Sequence, residues 1–296
     1  MVISKQLKGS LCLILCSFIW GMAFSAQSSA MRYIQPFTFV FCRCVVSSIV
    51  LFAALPLLTK LSGGASNEPP RRANFKLGAL LGVILVTATA LQQIGLVYTT
   101  TAKSGFVTAL YIVIVPLIGL FMGRRVGRPV WLGVALSLTG LILLCVQSNL
   151  SVNVGDVITL LCALVFAFHI ITIDRYAGPM NAVRLTAIQF AVGAVLSGII
   201  AFIVETPTWS GIAACWPSIL YVAVFSSAIG YTLQILGQQR TEPTLASLLM
   251  CLESVFAALG GWVLLGQGLT PRELIGCALM LAASAVAQLP DRRVAR

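Results

Sequence analysis

Charged residues are scarce in this sequence. Only 9% of its 296 residues are Asp, Glu, Lys or Arg, whereas 59% are hydrophobic. Soluble domains usually carry about 25% charged residues, which are interspersed over an otherwise apolar surface. A soluble enzyme, a disordered chain and a secreted disulfide scaffold are therefore poor interpretations. An integral membrane protein is favoured.

Acidic residues and histidine are especially few, since Asp plus Glu number 8 and there is 1 His. One histidine cannot build a histidine-rich metal centre, and the sequence has no Gly-x-x-x-x-Gly-Lys phosphate loop and no Gly-x-Ser-x-Gly nucleophile turn. We therefore expect no metal, no cofactor and no catalytic residues. The 9 cysteines lie in or beside apolar runs, which indicates packing rather than a disulfide framework.

Long apolar runs are abundant. A bilayer core about 30 Å thick requires about 20 apolar residues per helix. The sequence therefore predicts an all-α integral membrane fold with about ten transmembrane helices. The predicted spans are 10–30, 36–58, 77–97, 104–122, 130–146, 154–173, 182–204, 212–236, 245–265 and 273–289.

Basic residues exceed acidic ones by 11, but they fall between the apolar runs rather than on one face. Nucleic acid is therefore not an expected partner. If both termini are cytoplasmic, 15 of the basic residues lie on the cytoplasmic side and only Arg32, Lys103 and Arg272 on the other. This positive-inside bias predicts a multi-pass protein of the inner (cytoplasmic) membrane with both termini in the cytoplasm, which requires an even number of spans. The cytoplasmic residues are Lys5, Lys8, Lys60, Arg71, Arg72, Lys76, Arg124, Arg125, Arg128, Arg175, Arg184, Arg240, Arg292, Arg293 and Arg296.

The two halves of the sequence match weakly at a nearly constant offset. At an offset of about 146, Trp20 meets Phe166, Ala23 meets His169 and Arg43 meets Gln189; at about 142, Gln92 meets Gln234, Gly95 meets Gly237 and Thr99 meets Thr241. The pattern predicts two repeats, at residues 9–147 and 153–290, with five spans each. Because five is odd, the second repeat enters the membrane from the opposite side. Inverted repeats are typical of secondary transporters that work by alternating access.

Several stretches carry a resemblance to a known family: 18–21 (Phe-Ile-Trp-Gly), 91–99, 103–116, 233–238 and 247–259. At these stretches the chain resembles the EamA family of the drug/metabolite transporter superfamily. The resemblance implies ten helices in two repeats, a central cavity and export of small metabolites, such as amino acids or related compounds, or of drugs. The family often has Glu-Pro in the ninth helix, whereas here Glu253 is followed by Ser254; Pro116 keeps a proline in the fourth helix.

Two charged residues lie well inside predicted spans. A bare carboxylate at the bilayer centre costs a few kcal/mol or more, so Glu253 is expected to face a cavity or a partner, where it binds a cationic group or a proton, or else forms structural hydrogen bonds. Arg43 either attracts anionic groups of the substrate or belongs to a structural ion pair. Repeat symmetry places Tyr111 opposite Glu253.

Polar and aromatic residues inside the spans complete the candidate pathway. His169 either takes part in coupling to protons, lines the cavity or is a packing residue. Gln92 and Gln234 either bridge helices or line the pathway, because buried amides need partners. Trp20 and Tyr111 are candidates for aromatic walls. Lys103 is expected to anchor at the membrane interface or to act as an external gate charge.

Alternatives from other classes stay open at this point. An uptake carrier for a metabolite or lipid precursor has the same topology as an exporter. A channel would share the spans without the carrier mechanism, and an intramembrane enzyme would need a base, for which only His169 is available. Substrate identity, direction, coupling ion and oligomeric state are left undecided by the residues.

Overall fold

The computed structural model describes residues 5–61, 71–99, 101–145, 152–265 and 268–289. Within these residues the regular secondary structure is entirely helical, as predicted. An α-helix pairs the backbone groups of its interior within the same segment, which is the condition for crossing lipid without a β-barrel. Positions 147 and 290, the predicted ends of the two repeats, lie outside the described residues, as do Arg292, Arg293 and Arg296.

Ten spans, numbered here in chain order, follow the predicted runs closely. Nine of those in the described part of the chain are long and apolar enough to cross a membrane, and the tenth is a 16-residue helix. The spans are Lys5–Ala30 (span 1), Pro36–Leu61 (span 2), Arg71–Tyr98 (span 3), Thr101–Ala109 with Tyr111–Phe121 (span 4), Arg128–Cys145 (span 5), Val154–Tyr176 (span 6), Ala182–Val204 (span 7), Trp216–Gln238 (span 8), Pro243–Met250 with Glu253–Leu265 (span 9) and Pro271–Val286 (span 10).

Several helix starts are fixed by local sequence. Asn153 and Asp156 form a reciprocal capping box at the start of span 6, and Thr270 and Glu273 form another around Pro271 at the start of span 10. Such boxes satisfy backbone N–H groups that would otherwise lack a partner. Asn181 caps span 7 in a simpler way, through a bond from the Arg184 N–H.

The main packing contacts between spans are repeated when the two halves are exchanged. Span 1 packs against spans 8 and 9, while its counterpart, span 6, packs against spans 3 and 4. Spans 2 and 7 pack against each other, and so do spans 5 and 10. This arrangement has the pseudo-two-fold relation expected of inverted five-helix repeats.

The helix breaks also follow this relation. Span 4 is broken at Leu110 and span 9 at Cys251–Leu252, so the segments that follow begin at Tyr111 and Glu253, 142 residues apart as the repeat predicts. Span 9 breaks although it has no proline after Glu253. In span 4 the break precedes Pro116, which lies inside the second segment.

Span 8 departs from the symmetry. Residues Val222–Gly230 form a π-helix, whereas span 3, the counterpart of span 8, is a continuous α-helix over Arg71–Tyr98. Single stretches of π-helix are rare and frequently occur at functional sites. Here the wide turns face spans 1 and 2, which carry Trp20 and Arg43.

Candidate functional site

A small central cavity lies between the two halves. Its volume is about 40 Å³, which is room for a few water molecules. The described residues that line it come from spans 1, 2, 3, 4, 6, 8 and 9. They are Trp20, Phe24, Gln27, Arg43, Gln92, Thr108, Tyr111, Phe166, Ile170, Ser226, Tyr231, Gln234, Met250 and Glu253.

Most of these residues form symmetric pairs. Spans 1 and 6 contribute Trp20 with Phe166 and Phe24 with Ile170, at an offset of 146 in each case. Spans 3, 4, 8 and 9 contribute pairs at an offset of 142, namely Gln92 with Gln234, Thr108 with Met250 and Tyr111 with Glu253. A cavity lined by both members of five pairs must lie on the pseudo-two-fold axis, which is where alternating access requires a site.

Glu253 is placed by the break in span 9. The carboxyl-bearing residue is the first of the segment Glu253–Leu265 and is only 4% exposed. Gly21 of span 1 allows this break to approach closely, because a Cβ on Gly21 would lie 2.5 Å from the Glu253 carbonyl oxygen. The substitution of any other residue for Gly21 would therefore push span 1 away from the break.

Arg43 lies at the edge of the cavity and is 2% exposed. Its Nε and Nη2 donate to Ser227 Oγ at 3.0 and 2.8 Å, and Nη1 donates to Gln27 Oε1 at 3.2 Å. Gln27 Oε1 also accepts a bond of 3.0 Å from Gln93 Nε2. Neutral acceptors therefore hold the guanidinium, and no ion pair joins Arg43 to Glu253 in the described structure.

Three other predicted residues present polar groups to the same cavity. Gln92 Nε2 donates to Thr108 Oγ1 at 3.3 Å. The Tyr111 hydroxyl and the Gln234 Oε1 are buried and have no hydrogen-bond partner within the described protein. Buried polar atoms are rarely left unpaired, so these two groups are available to a bound molecule.

Aromatic side chains close one wall. Trp20 and Tyr231 have ring centroids 4.8 Å apart, and Phe190 packs edge-on against Tyr231 at 5.4 Å. The Trp20 Nε1 donates to the Ser226 carbonyl oxygen of the π-helix at 2.9 Å. This bond is the direct link between the irregular part of span 8 and the cavity wall.

His169 lies behind this wall and does not line the cavity. It is fully buried, its Nε2 is 3.2 Å from Gln189 Oε1, and its ring faces Tyr231 edge-on at a centroid distance of 6.1 Å. Six of the seven residues predicted from the sequence thus surround one cavity, while His169 packs against one of its lining residues, Tyr231.

Sequence reasoning missed part of the Arg43 environment. Ser226, Ser227 and Tyr231 are ordinary residues of an apolar helix, and no spacing in the sequence sets them apart. Their role depends on the π-helix, which turns both serines toward spans 1 and 2. Thr108 and Met250, by contrast, follow from the repeat, since they flank Tyr111 and Glu253 at equivalent positions.

Ion pairs connect span 4, and the turn that follows it, to the two ends of span 6. Lys103 Nζ is 3.2 Å from Asp156 Oδ2, where Asp156 also accepts from Thr99 Oγ1 at 2.6 Å. At the opposite end Arg124 pairs with Asp174. Lys103, predicted as an anchor or a gate charge, therefore connects the first repeat to the second.

The described residues contain no cluster of three or more His, Cys, Asp or Glu side chains that could hold a metal ion. The groups that line the cavity are instead one guanidinium, one carboxyl, two phenols and several amides. Such a set binds or orients a small polar molecule by charge and hydrogen bonds.

Comparison with known proteins gives the family. The model of the EamA-like transporter family matches residues 7–146 and 153–288. A protein of Archaeoglobus fulgidus named an uncharacterized transporter is 30% identical over 289 residues, which cover 96% of this chain and 87% of that protein. The uncharacterized inner membrane transporter YedA of Escherichia coli is 26% identical and covers 90% and 85% of the two chains.

Two further comparisons are more restricted. The threonine/homoserine exporter RhtA of Escherichia coli is 34% identical over 74 residues, a quarter of each chain. A solved crystal structure superposes over 97% of this chain and 99% of its own with a TM-score of 0.78 at 19% identity, which shows a shared fold. With both repeats matched by the family model, this multi-pass membrane protein belongs to the EamA-like transporter family.

Proposed function

We propose that the chain is a secondary transporter that exports a small zwitterionic metabolite, such as an amino acid, across the cytoplasmic membrane by alternating access. The observation that carries the proposal is that one cavity is lined by both a basic and an acidic side chain. Arg43 and Glu253 both line the cavity, and the described structure has no ion pair between them. A substrate with a carboxylate and an ammonium group would satisfy both.

The neighbouring groups support this substrate class. A charge buried at membrane depth is costly unless it has a partner. A bound zwitterion would supply a partner to both the guanidinium and the carboxyl. The Tyr111 hydroxyl and Gln234 Oε1 add one donor and one acceptor, and Trp20 and Tyr231 offer apolar and cation–π contacts to a side chain. The partial similarity to a threonine/homoserine exporter points the same way.

We further propose that protons couple to this transport through Glu253. A carboxyl that faces either an ammonium group or a proton can exchange one for the other, because both neutralise it. Outward export would then be driven by proton entry on the return step. His169 lies outside the cavity, so it is not assigned this role.

Flux into proteoliposomes that contain the purified protein tests the substrate class. We expect a zwitterionic amino acid to move faster than in empty vesicles, and faster than its methyl ester or the matching carboxylic acid without an amino group. If the ester, a simple cation, is transported as fast as the amino acid, Arg43 is not a substrate ligand and a cationic drug becomes the better assignment.

Direction and coupling need a second measurement. In inside-out vesicles an imposed proton gradient is expected to drive accumulation of the substrate, and in cells overproduction is expected to lower the internal amino acid pool. Accumulation in intact cells instead would favour the uptake carrier. Currents far above carrier turnover would favour a channel.

A further inference from the structure

A second concavity lies on the outside of the bundle, away from the central cavity. It is a groove of about 730 Å³ between spans 2 and 3, with span 7 as its floor. Ile188, Val192 and Val195 form one stripe of span 7 along the floor, at the spacing that places residues on one helix face. Phe52 and Phe75, from spans 2 and 3, stand on the two sides.

Close helix packing creates this groove. Span 3 lies directly on span 7, because a Cβ on Gly78 would be 2.8 Å from Ile188 Cβ and a Cβ on Gly82 would be 2.7 Å from the Gln189 carbonyl oxygen. Span 2 meets span 7 on another side, where Gly193 faces the Cys44 Sγ. Spans 2 and 3 therefore both rest on span 7 and leave an apolar channel between them.

One end of the groove is basic. Arg184, one turn before Ile188, is the charged residue among the described residues that line it. Arg72, three residues before Phe75, shares its exposed face of span 3, and the next residue, Lys76, is also exposed. An apolar channel that ends in basic side chains at a helix terminus matches one acyl chain and the phosphate of an anionic phospholipid.

The repeat supplies an internal comparison. Spans 2 and 7 begin at Pro36 and Ala182, an offset of 146, so Arg184 corresponds to Thr38 and Phe52 to Gly198. At this equivalent place the Phe41 ring fills the space over Gly198 and packs on Phe202 at 5.8 Å.

The charge at the equivalent place is also reversed. Glu205 Oε2 accepts bonds from the N–H and hydroxyl of Thr38, at 2.7 and 2.6 Å. At the counterpart, an aromatic ring therefore covers the position equivalent to Phe52, and an acidic side chain contacts the position equivalent to Arg184. The shape and charge of the groove are thus not a consequence of the repeat architecture alone.

We propose that the groove binds one phospholipid with an anionic head group, the acyl chain lying along span 7 and the phosphate at Arg184. The positive-inside pattern assigns this end of the bundle to the cytoplasmic leaflet, where anionic lipids attract basic side chains. The site is independent of the proposed transport activity. It ties spans 2, 3 and 7 together across the two repeats.

Native mass spectrometry of the full-length protein tests the site. The protein in detergent is titrated with phosphatidylglycerol and with phosphatidylcholine of the same acyl chains. We expect phosphatidylglycerol to bind about fivefold more tightly, since one basic side chain near a lipid head group contributes about 1 kcal/mol. Arg184→Gln is expected to remove this preference and Arg184→Lys to retain most of it.

Two further variants distinguish binding in the groove from a general effect of positive charge on the protein surface. Arg175→Gln removes an exposed charge near the same end of the bundle but outside the groove, and is expected to keep the preference. Val195→Trp fills the groove and is expected to weaken both lipids. Equal binding of the two lipids by the unmodified protein overturns the proposal, and so does an equal loss in Arg184→Gln and Arg175→Gln. Dimers that Val195→Trp abolishes would assign the groove to a second copy of the chain instead.

Discussion

Glu253 combines deep burial with the absence of an ion-pair partner in the described structure. At 4% exposure it is held at the start of a helix segment by backbone geometry rather than by a countercharge. Breaking a buried ion pair destabilises a protein by about 3–5 kcal/mol, because one charge is left unpaired. No such penalty applies at Glu253, so function and stability can be separated there.

The first prediction follows from this separation. Glu253→Gln is expected to lower substrate flux in proteoliposomes at least about tenfold, since the amide can neither pair with an ammonium group nor carry a proton. The midpoint of thermal unfolding is expected to change by no more than about 4 °C, which corresponds to about 1 kcal/mol. Unaltered flux between about pH 5 and 9 would remove Glu253 from the mechanism.

Ser227 provides a prediction on stability. Two donors of the Arg43 guanidinium depend on the Ser227 hydroxyl, so Ser227→Ala leaves them without an acceptor in a buried site. We expect a loss of about 1–3 kcal/mol in the free energy of unfolding, together with weaker substrate binding. Ser197→Ala is the matched control, because Ser197 is equally buried but bonds only to the Gly193 carbonyl of its own helix. Equal losses in both variants would show that Ser227 does not position Arg43.

Residue chemistry explains which of these groups the sequence could reveal. Arg43 and Glu253 stand out because a charge within an apolar run costs free energy, so it indicates a partner or a function. Gln92, Gln234 and Tyr111 follow from the repeat. Ser227 and Tyr231 could not be singled out, since serine and tyrosine are common in membrane helices and their placement depends on how span 8 winds. His169 was a reasonable candidate by chemistry, but its helix face is turned toward Gln189.

At the scale of the elements, the break in span 9 has a consequence for Ser254. The segment after the break begins at Glu253, so residue 254 lies in a first helical turn, where proline is tolerated. Proline there would lose only the weak bond from the Ser254 N–H to the Cys251 carbonyl oxygen, which is 3.2 Å long. A Glu-Pro pair and the Glu-Ser pair found here are therefore compatible with the same break.

The break in span 9 predicts a small loss of stability for one proline substitution and a large loss for another. Ser254→Pro is expected to cost about 1 kcal/mol or less and to keep transport. Ala258→Pro, four residues further in the same segment, is expected to cost about 3 kcal/mol or more, because it removes an interior hydrogen bond and clashes with the preceding turn. Thermal unfolding in detergent measures both. Similar losses for the two variants would mean that span 9 is continuous through residue 254.

The sequence predicts where the helices lie better than it predicts where they break. The ten apolar runs gave the spans within a few residues, and span 7 matches its predicted limits of 182–204. The breaks at Leu110 and Cys251 carry no glycine or proline at the break itself, and the π-helix of span 8 differs from an α-helix by its hydrogen-bond register alone. Such features are decided by packing between spans, which hydropathy does not report.

At the scale of the whole molecule, the charge distribution predicts an orientation. Arg124 and Asp174 pair at the end of the bundle that the positive-inside pattern assigns to the cytoplasm, and Lys103 and Asp156 pair at the opposite end. Reporter proteins fused to either terminus are expected to give cytoplasmic signals, such as fluorescence of a fused green fluorescent protein and no activity of a fused alkaline phosphatase. A periplasmic signal at either terminus would contradict the even number of spans or the assigned side.

The central cavity must change if the protein is a carrier, because about 40 Å³ accommodates only a few waters. Alternating access predicts that a cysteine in place of Thr108, on the pseudo-two-fold axis, reacts with a membrane-impermeant thiol reagent from both sides of the membrane. Right-side-out and inside-out vesicles test each side separately, with the unmodified protein reporting any reaction of its native cysteines. Ser197→Cys is the control, since Ser197 is fully buried and does not line the cavity. Alternating access exposes position 108 to each aqueous phase in turn, because the two repeats open first toward one side of the membrane and then toward the other. Reaction from one side only, or equal reaction at positions 108 and 197, would therefore contradict a site that opens alternately.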